Sequence, residues 1–334
     1  MDISEIGKFG LISQLTADIK PAQPSTLMGI GDDAAILSYG DTALAVTTCT
    51  LLENIHFDLT YVPLQHLGYK ATIIAFSNLY AMNAMPRQLL VSIAVSSKFS
   101  VEAMERLYLG IKLACKRHGV DLVGGETTLS VTGLAITVTA IGEADPAKVT
   151  YRHKAKKGDL ICVSGNLGAA YMGLQVLERE KKLFEDDPTT QPQLDNYAYV
   201  VGRWLKPEAR RDMADFFASA DLLPTSMIDV SNGLSPELLY ICTASGVGCE
   251  IHHHKIPVAG ETVAVAEEFF LEPLIMALNG GYDYELLFTI SVADYDKVAG
   301  NGEISIIGYL TGKDDGCYLV TESGERIEMT NNSE

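Results

Sequence analysis

Apolar residues recur along this chain at two spacings, every second position in some stretches and every third or fourth in others, and the alternation lays out the elements. A helix-like piece, Ser4 to Leu15, precedes a proline-rich lead-in from Pro21 to Pro24. Ala34-Ala35-Ile36-Leu37 and Ala43-Leu44-Ala45-Val46-Thr47 then read as two strands joined by a polar turn. Residues 64–84 form a long, mostly apolar helix closed by Pro86, and Leu89 to Val95 is a continuous apolar run of buried-strand type. Ser100 is an N-cap residue type with Glu102 in the turn behind it. The helix it opens carries Val101, Met104, Leu107, Tyr108, Ile111 and Cys115 on one face and stops at Gly119. After a polar loop, Asp121 to Thr128, the residues Leu134, Ile136, Val138 and Ala140 alternate as in a half-buried strand.

The second half repeats the rhythm. Glu143-Ala144-Asp145-Pro146 and the basic run Arg152 to Lys157 mark a boundary, dividing the chain into domains 1–146 and 147–334. A strand at Asp159–Val163 leads through Ser164-Gly165-Asn166-Leu167-Gly168 into a helix, and the charged stretch 180–197 reads as an exposed connection. Helices at Glu208–Ala218 and Pro236–Ser245 flank Met227 to Leu234. A strand (Val247–His253), one helix (Thr262–Met276), a strand (Glu285–Ile290) and a hairpin at 304–328 complete the pattern, with disorder expected in the last few polar residues. The fold class is α+β, in layers.

Composition narrows the partners. At 334 residues, 47% hydrophobic and 20% charged, the chain is long enough for two globular domains. A net charge of −18 argues against nucleic acid, whose phosphates need clustered Lys and Arg. No charged-then-apolar leader is apparent, and no apolar run reaches the ~18–20 residues that span a bilayer, so no membrane role is expected. The six cysteines are scattered without a Cys-x-x-Cys pair, which favours a reducing, cytoplasmic setting over a disulfide framework. His252-His253-His254 follows a strand-like run, and histidines alternating in and out of a strand make poor chelators.

The chemistry concentrates at Gly29-Ile30-Gly31-Asp32-Asp33. The glycine spacing invites a dinucleotide-binding reading, but that motif requires a helix after its glycines and here a strand follows. Two carboxylates facing a phosphate chain repel it unless hard cations lie between, typically Mg²⁺ held by oxygen ligands. A solvated turn is the alternative. No Gly-Lys-[Ser/Thr] P-loop and no recognised nucleophile motif occurs.

Further Gly/acid stretches end other apolar runs: Gly124-Gly125-Glu126-Thr127-Thr128, Gly158-Asp159, Asp229-Val230-Ser231-Asn232-Gly233-Leu234 and Gly280-Gly281-Tyr282-Asp283-Tyr284-Glu285-Leu286-Leu287-Phe288. With Gly7-Lys8-Phe9-Gly10-Leu11-Ile12, Asn54-Ile55-His56-Phe57 and Ile307-Gly308, this ordered set resembles the thiamine-monophosphate kinase family of the aminoimidazole ribonucleotide synthetase superfamily. The resemblance implies a homodimer whose N-terminal domains build a shared β barrel, followed by a C-terminal α+β domain. It implies ATP and Mg²⁺ in a cleft and in-line transfer of the γ-phosphoryl group to thiamine monophosphate, without a covalent intermediate.

Carried over position by position, the resemblance makes Asp33 and Asp229 the catalytic, metal-holding carboxylates. Thr47, Thr48 and Glu126 are further metal positions, Gly125, Arg152 and Ser231 nucleotide contacts, and His56 a substrate contact. Four positions depart from the pattern. Cys49, Asn78 and Asn232 stand where the family has metal-site aspartates, and Tyr282 where a glutamate meets the thiamine moiety. Soft or neutral ligands hold Mg²⁺ less well, so fewer or weaker metal sites are expected. A non-catalytic nucleotide-binding protein, or a kinase for another acceptor, stays open at this point.

Overall fold

The computed structural model describes residues 3–330. Asn331–Glu334, where the sequence suggests disorder, fall outside the described residues, as do the side chains of Gly7, Lys8 and Phe9.

The first half consists of helix α1 (Ile3–Thr16), strands β1 (Thr26–Met28), β2 (Ala35–Tyr39) and β3 (Thr42–Leu52), helix α2 (Leu64–Ala81), β4 (Met85–Val95), α3 (Val101–His118), β5 (Asp121–Leu129) and β6 (Leu134–Ala144). Its sheet runs β1-β2-β3-β6-β4-β5 and is antiparallel except for the parallel β4/β5 pair. Period-two alternation places Ala43, Ala45 and Leu51, Leu89, Val91 and Ile93, and Leu134, Ile136, Val138 and Ala140 on the buried face. Helix α2 crosses that face, and α3 packs on α2. The two helices approach closely because glycines meet at the crossing. A Cβ on Gly68 would lie 2.0 Å from the Leu107 carbonyl oxygen, and one on Gly110 would lie 1.9 Å from that of Gln65.

Three local expectations change here. Pro86 does not close α2, which ends at Met82 with Asn83 at φ 54°. It sits near the start of β4 beside a register shift, where a missing N–H costs the ladder least. Asp121–Thr128 is strand rather than loop. Pairing with β4 supplies its backbone bonds, and the strand is exposed along nearly its whole length, so no apolar alternation marks it. Ser100 caps α3 as expected, its Oγ accepting from the Ala103 N–H at 3.2 Å, and Gly119 ends it in the left-handed region. Leu107, Ile111 and Cys115 are buried, but Val101 is 72% exposed in the first turn.

The second half comprises β7 (Leu160–Ser164), α4 (Ala169–Asp186), α5 (Ala198–Leu205), α6 (Arg211–Ser219), β8 (Ser226–Asp229), α7 (Leu234–Ser245), β9 (Val247–His252), α8 (Gly260–Glu268), α9 (Pro273–Asn279), β10 (Leu286–Ile290), α10 (Tyr295–Val298), β11 (Ile304–Gly312), β12 (Cys317–Val320) and β13 (Arg326–Glu328). Their sheet order is β13-β12-β9-β11-β7-β10-β8. The expected 304–328 hairpin is therefore only β12/β13, because β9 inserts between β11 and β12 and pairs parallel to β12. The expected helix 262–276 breaks in two where Phe270 takes φ 57° and Pro273 restarts the chain as α9. One apolar cluster runs from the first sheet into α4, α5 and α8, and a second fills the space between the second sheet and α7. Helix α2 touches both β3 and β8, so its middle lies where the two halves meet.

Candidate active site

The meeting of β3, α2 and the loops after β8 and α9 leaves an open cleft of about 540 Å³. Thr48, Cys49, Thr50, His56, Lys70, Asn78, Ser231, Asn232, Tyr282 and Tyr284 belong to its wall. Beyond His56 and Tyr282, which the two spaces share, lies a second compartment of about 310 Å³ bounded by Tyr61, Trp204, Asp58 and Glu178.

Beneath the cleft sits a buried acidic group. Asp32 and Asp33 arrive on the β1–β2 turn, Asp229 ends β8, and Glu237 lies in the first turn of α7. One guanidinium faces them. Arg152, from the link between β6 and β7, pairs its Nη2 and Nε with the Asp33 carboxylate, and its backbone N–H donates to Asp32 at 3.1 Å. Asp229 accepts from Ser77 Oγ at 2.7 Å across the two halves. Burial pushes the Asp32 carboxyl up to about 7, with the Asp33 charge adding to the effect. It likewise raises Asp33 against the pull of Arg152. Asp229 rises well above its ordinary value through burial, then the charges of Asp33 and Glu237, and burial raises Glu237 itself. Four carboxylates against one cation is an oxygen donor set short of positive charge, the chemistry that suits hard divalent ions.

The residues between this group and the cleft are the ones that depart from the family pattern. Asn78 on α2 donates through Nδ2 to Thr47 Oγ1 at 3.0 Å and to Cys49 Sγ at 3.4 Å. Thr47 in turn donates to the Asp33 carbonyl oxygen at 3.0 Å. The Cys49 thiol is pushed up to about 12 by burial and by Asp229 and Asp33, so it stays a neutral S–H. Asn232 donates its amide Nδ2 to Glu237 at 2.6 Å and its backbone N–H to the same oxygen at 3.0 Å, and Ser231 Oγ donates there at 3.1 Å. An aspartate at 232 would face that carboxylate at contact distance. The neutral side chain is matched to its neighbour.

The other expected positions divide. His56 lines the cleft, its Nδ1 accepting from the Leu52 N–H at 3.0 Å. Thr48 points to the face opposite Thr47, where it meets Thr139 Oγ1 at 3.2 Å. Arg152 is held under the cleft by Asp33 rather than in its wall. Gly125 and Glu126 lie on the exposed edge strand β5 and do not line the cleft. Gly125 has a packing role of its own, since a Cβ there would meet the Val91 carbonyl oxygen at 1.8 Å.

Tyr282 and Tyr284 both adopt left-handed φ, 64° and 54°, fixed by backbone bonds to Ser231 and Val230. Between and after them, Asp283 and Glu285 turn away from the cleft. Asp283 accepts the Gly168 and Ala170 N–H groups that open α4, and burial pushes it up to about 6. Glu285 accepts from Ser164 Oγ and Arg210 Nη1, both at 2.6 Å. These acids hold the loop in place.

Lys70 was not anticipated from sequence. Its side chain is buried, yet its ammonium reaches the cleft, 3.4 Å from the centre of the Trp204 ring and 5.4 Å from that of Tyr282. The two rings meet edge-on at 4.7 Å. No carboxylate pairs with Lys70 among the described residues, and burial pushes it down to about 7. The signal was a single cation inside an apolar helical run, Leu67-Gly68-Tyr69-Lys70-Ala71-Thr72-Ile73. Ser77, Glu178 and Glu237 complete the groups that only proximity reveals.

Comparison with known proteins agrees with this architecture. The family described as AIR synthase related protein, N-terminal domain, matches residues 31–144. The thiamine-monophosphate kinase of Aquifex aeolicus is 32% identical over 289 residues, spanning 86% of this chain and 87% of that protein. The thiamine-monophosphate kinase of Bacillus subtilis is 32% identical over 298 residues, 86% of each chain. The solved structure of AaThiL complexed with AMPPCP and TMP superposes with a TM-score of 0.84 at 28% identity, covering 98% of this chain and 97% of that one.

Proposed function

This chain belongs to the thiamine-monophosphate kinase family, and from that membership we propose how its cleft performs ATP-dependent phosphorylation of thiamine monophosphate. The observation that carries the proposal is the cleft itself: a polar wall above four buried carboxylates, with Lys70, a cation that no carboxylate pairs among the described residues, in the same wall. Both substrates are polyanions. Bringing them together requires positive charge where the transferred phosphoryl group passes, and little else from the protein.

In this reading Asp33 and Asp229, with Asp32 behind them, hold Mg²⁺, and Thr47 fixes the Asp33 backbone. Bound Mg²⁺ offsets the phosphate charge between donor and acceptor. Lys70 supplies a further positive charge that Trp204 and Tyr282 position without neutralising. Ser231 and Asn232 face the nucleotide, and Arg152 keeps Asp33 and Asp32 ionisable until the cation arrives. Cys49 and Asn78 remain neutral wall residues. They leave fewer charged ligands, so Mg²⁺ is held more weakly than an all-aspartate wall would hold it. Thiamine monophosphate places its organic moiety past His56 into the second compartment. There Tyr61, Trp204 and Tyr282 offer aromatic faces, and Glu178, bonded to Tyr61 at 2.6 Å, supplies the carboxylate that position 282 lacks.

The same reading makes the molecule a cytoplasmic homodimer. It is supported by six free cysteines and by the exposed strand β5, whose outer side is open at one edge of the first sheet. No helix among the described residues is long and apolar enough to cross a membrane. The test is turnover: thiamine diphosphate formed from thiamine monophosphate and ATP, in proportion to added Mg²⁺. Product formation unchanged after chelation of divalent ions would remove the metal assignment, and absence of product at saturating ATP and Mg²⁺ would remove the function.

A further inference from the structure

Cys242 on α7, Cys249 on β9 and Cys317 on β12 are far apart in sequence, yet their sulfur atoms all lie within 4.8 Å of one another. Among the described residues this is the one group of three metal-ligating side chains found so close together. The topology explains the meeting. Cys249 and Cys317 are direct partners in the parallel β9/β12 pair, and α7 packs across β9 and lowers Cys242 onto them. All three are free thiols, two buried and Cys317 half-buried.

We propose that these three cysteines form a binding site for one soft, thiophilic cation of the zinc or cuprous class. A single buried cysteine is an ordinary small apolar residue. Three sulfurs on separate elements form a triangle of soft donors, and thiolates around one zinc at about 2.3 Å stand about 3.8 Å from each other. No carboxylate belongs to the group, so it suits soft ions and not Mg²⁺. On binding a divalent ion, three S–H bonds break, three metal–sulfur bonds form and three protons leave to solvent. The resulting single negative charge lies toward the half-buried Cys317 side, where a water or external ligand completes the coordination. The site ties α7, β9 and β12 together and is separate from the phosphoryl cleft. Cys242 lies eight residues along α7 from Leu234, about 12 Å from the helix start beside Asn232.

The test uses the reduced, metal-stripped full-length protein titrated with Cd²⁺ alone, without nucleotide. Thiolate-to-cadmium ultraviolet absorption should saturate at one ion per chain, melting should shift upward, and Cys317 should become protected from alkylation. C242S and C317S should each weaken binding by more than about tenfold, the loss that even outer-sphere changes around a metal commonly cause. C115S and C49S should retain it. If a cluster variant fails to fold, protection of Cys317 in the unmutated protein decides the matter. No absorption at one equivalent, or loss of it in C49S with retention in C317S, would overturn the proposal.

Discussion

At the residue scale, Asn232 shows how a missing charge can be a fitted neighbour rather than a defect. Its amide and backbone N–H both serve the buried Glu237 carboxylate, so N232D alone replaces a donor by an anion set directly against that carboxylate. In Mg²⁺-free urea denaturation N232D should lose about 1–3 kcal/mol of stability, and adding E237Q should recover most of it. Lys70 gives the opposite signature. Among the described residues its ammonium has no anionic partner, and it bears the cost of burial, so K70M keeps the stem and removes the charge. Steady-state kinetics should show turnover lowered about 10²-fold, as for loss of other preorganised electrostatic groups, while the melting temperature rises. A fall in both would make Lys70 merely structural. The sequence marked Asn232 only as a lost metal-site aspartate, and it marked neither Glu237 nor Lys70, so the pairing of Asn232 with Glu237 and the place of Lys70 were not legible. Asp33, His56 and Asp229 were legible through the family motifs, but not that a neutral wall would separate the two aspartates from the cleft.

At the element scale, α2 and α3 form the unit that supports the site. Their crossing was half visible: the apolar stripe of α3 was readable, but Gly110 and His118 also lie on the buried face. Spacing alone cannot say that Gly110 lets a backbone approach or that His118 finds Tyr80, whose Oη lies 2.8 Å from its Nδ1. Burial pushes His118 down to about 4. Its folded value then lies below its ordinary value of 6.5, and the unfolded chain binds more protons between these limits. This group's contribution is intact above pH 6.5 and is lost as pH falls toward 4. Denaturation midpoints between pH 7 and pH 5 should fall in the native protein, and H118Q should flatten that slope. An equal slope in both would assign the acid sensitivity elsewhere. The strand β5 escaped the sequence for a related reason. Its partner supplies hydrogen bonds and no core covers its sides, so neither period appears.

At the scale of the whole molecule, the halves share one apolar cluster and enclose the cleft between them, while β5 leaves the first sheet open at one edge. Leu129 at the end of β5 is 84% exposed, and Val123 on the same strand is also exposed. If two copies join along this sheet as the family reading holds, L129K should shift sedimentation from dimer toward monomer without unfolding the chain. A native protein that sediments as a monomer at assay concentration would end that part of the reading. The acidic surface implied by the net charge of −18 opposes association in general, so a dimer must rest on a specific apolar patch.

The sequence by itself determined the layered α+β order, most strand and helix positions, and the family to which the motifs belong. These are properties of short windows, where a two- or 3.6-residue period and a glycine or acid at a strand end carry the information. The tertiary structure alone decided what each carboxylate faces. It sank Asp33 and Asp229 beneath Asn78 and Cys49, turned Asp283 and Glu285 into supports, and brought Lys70 onto Trp204, 134 residues along the chain. It also gathered Cys242, Cys249 and Cys317 into one triangle. Charge, burial and ligation act through space over a few ångströms, and residues that distant in sequence become neighbours only when the sheets and helices close on one another.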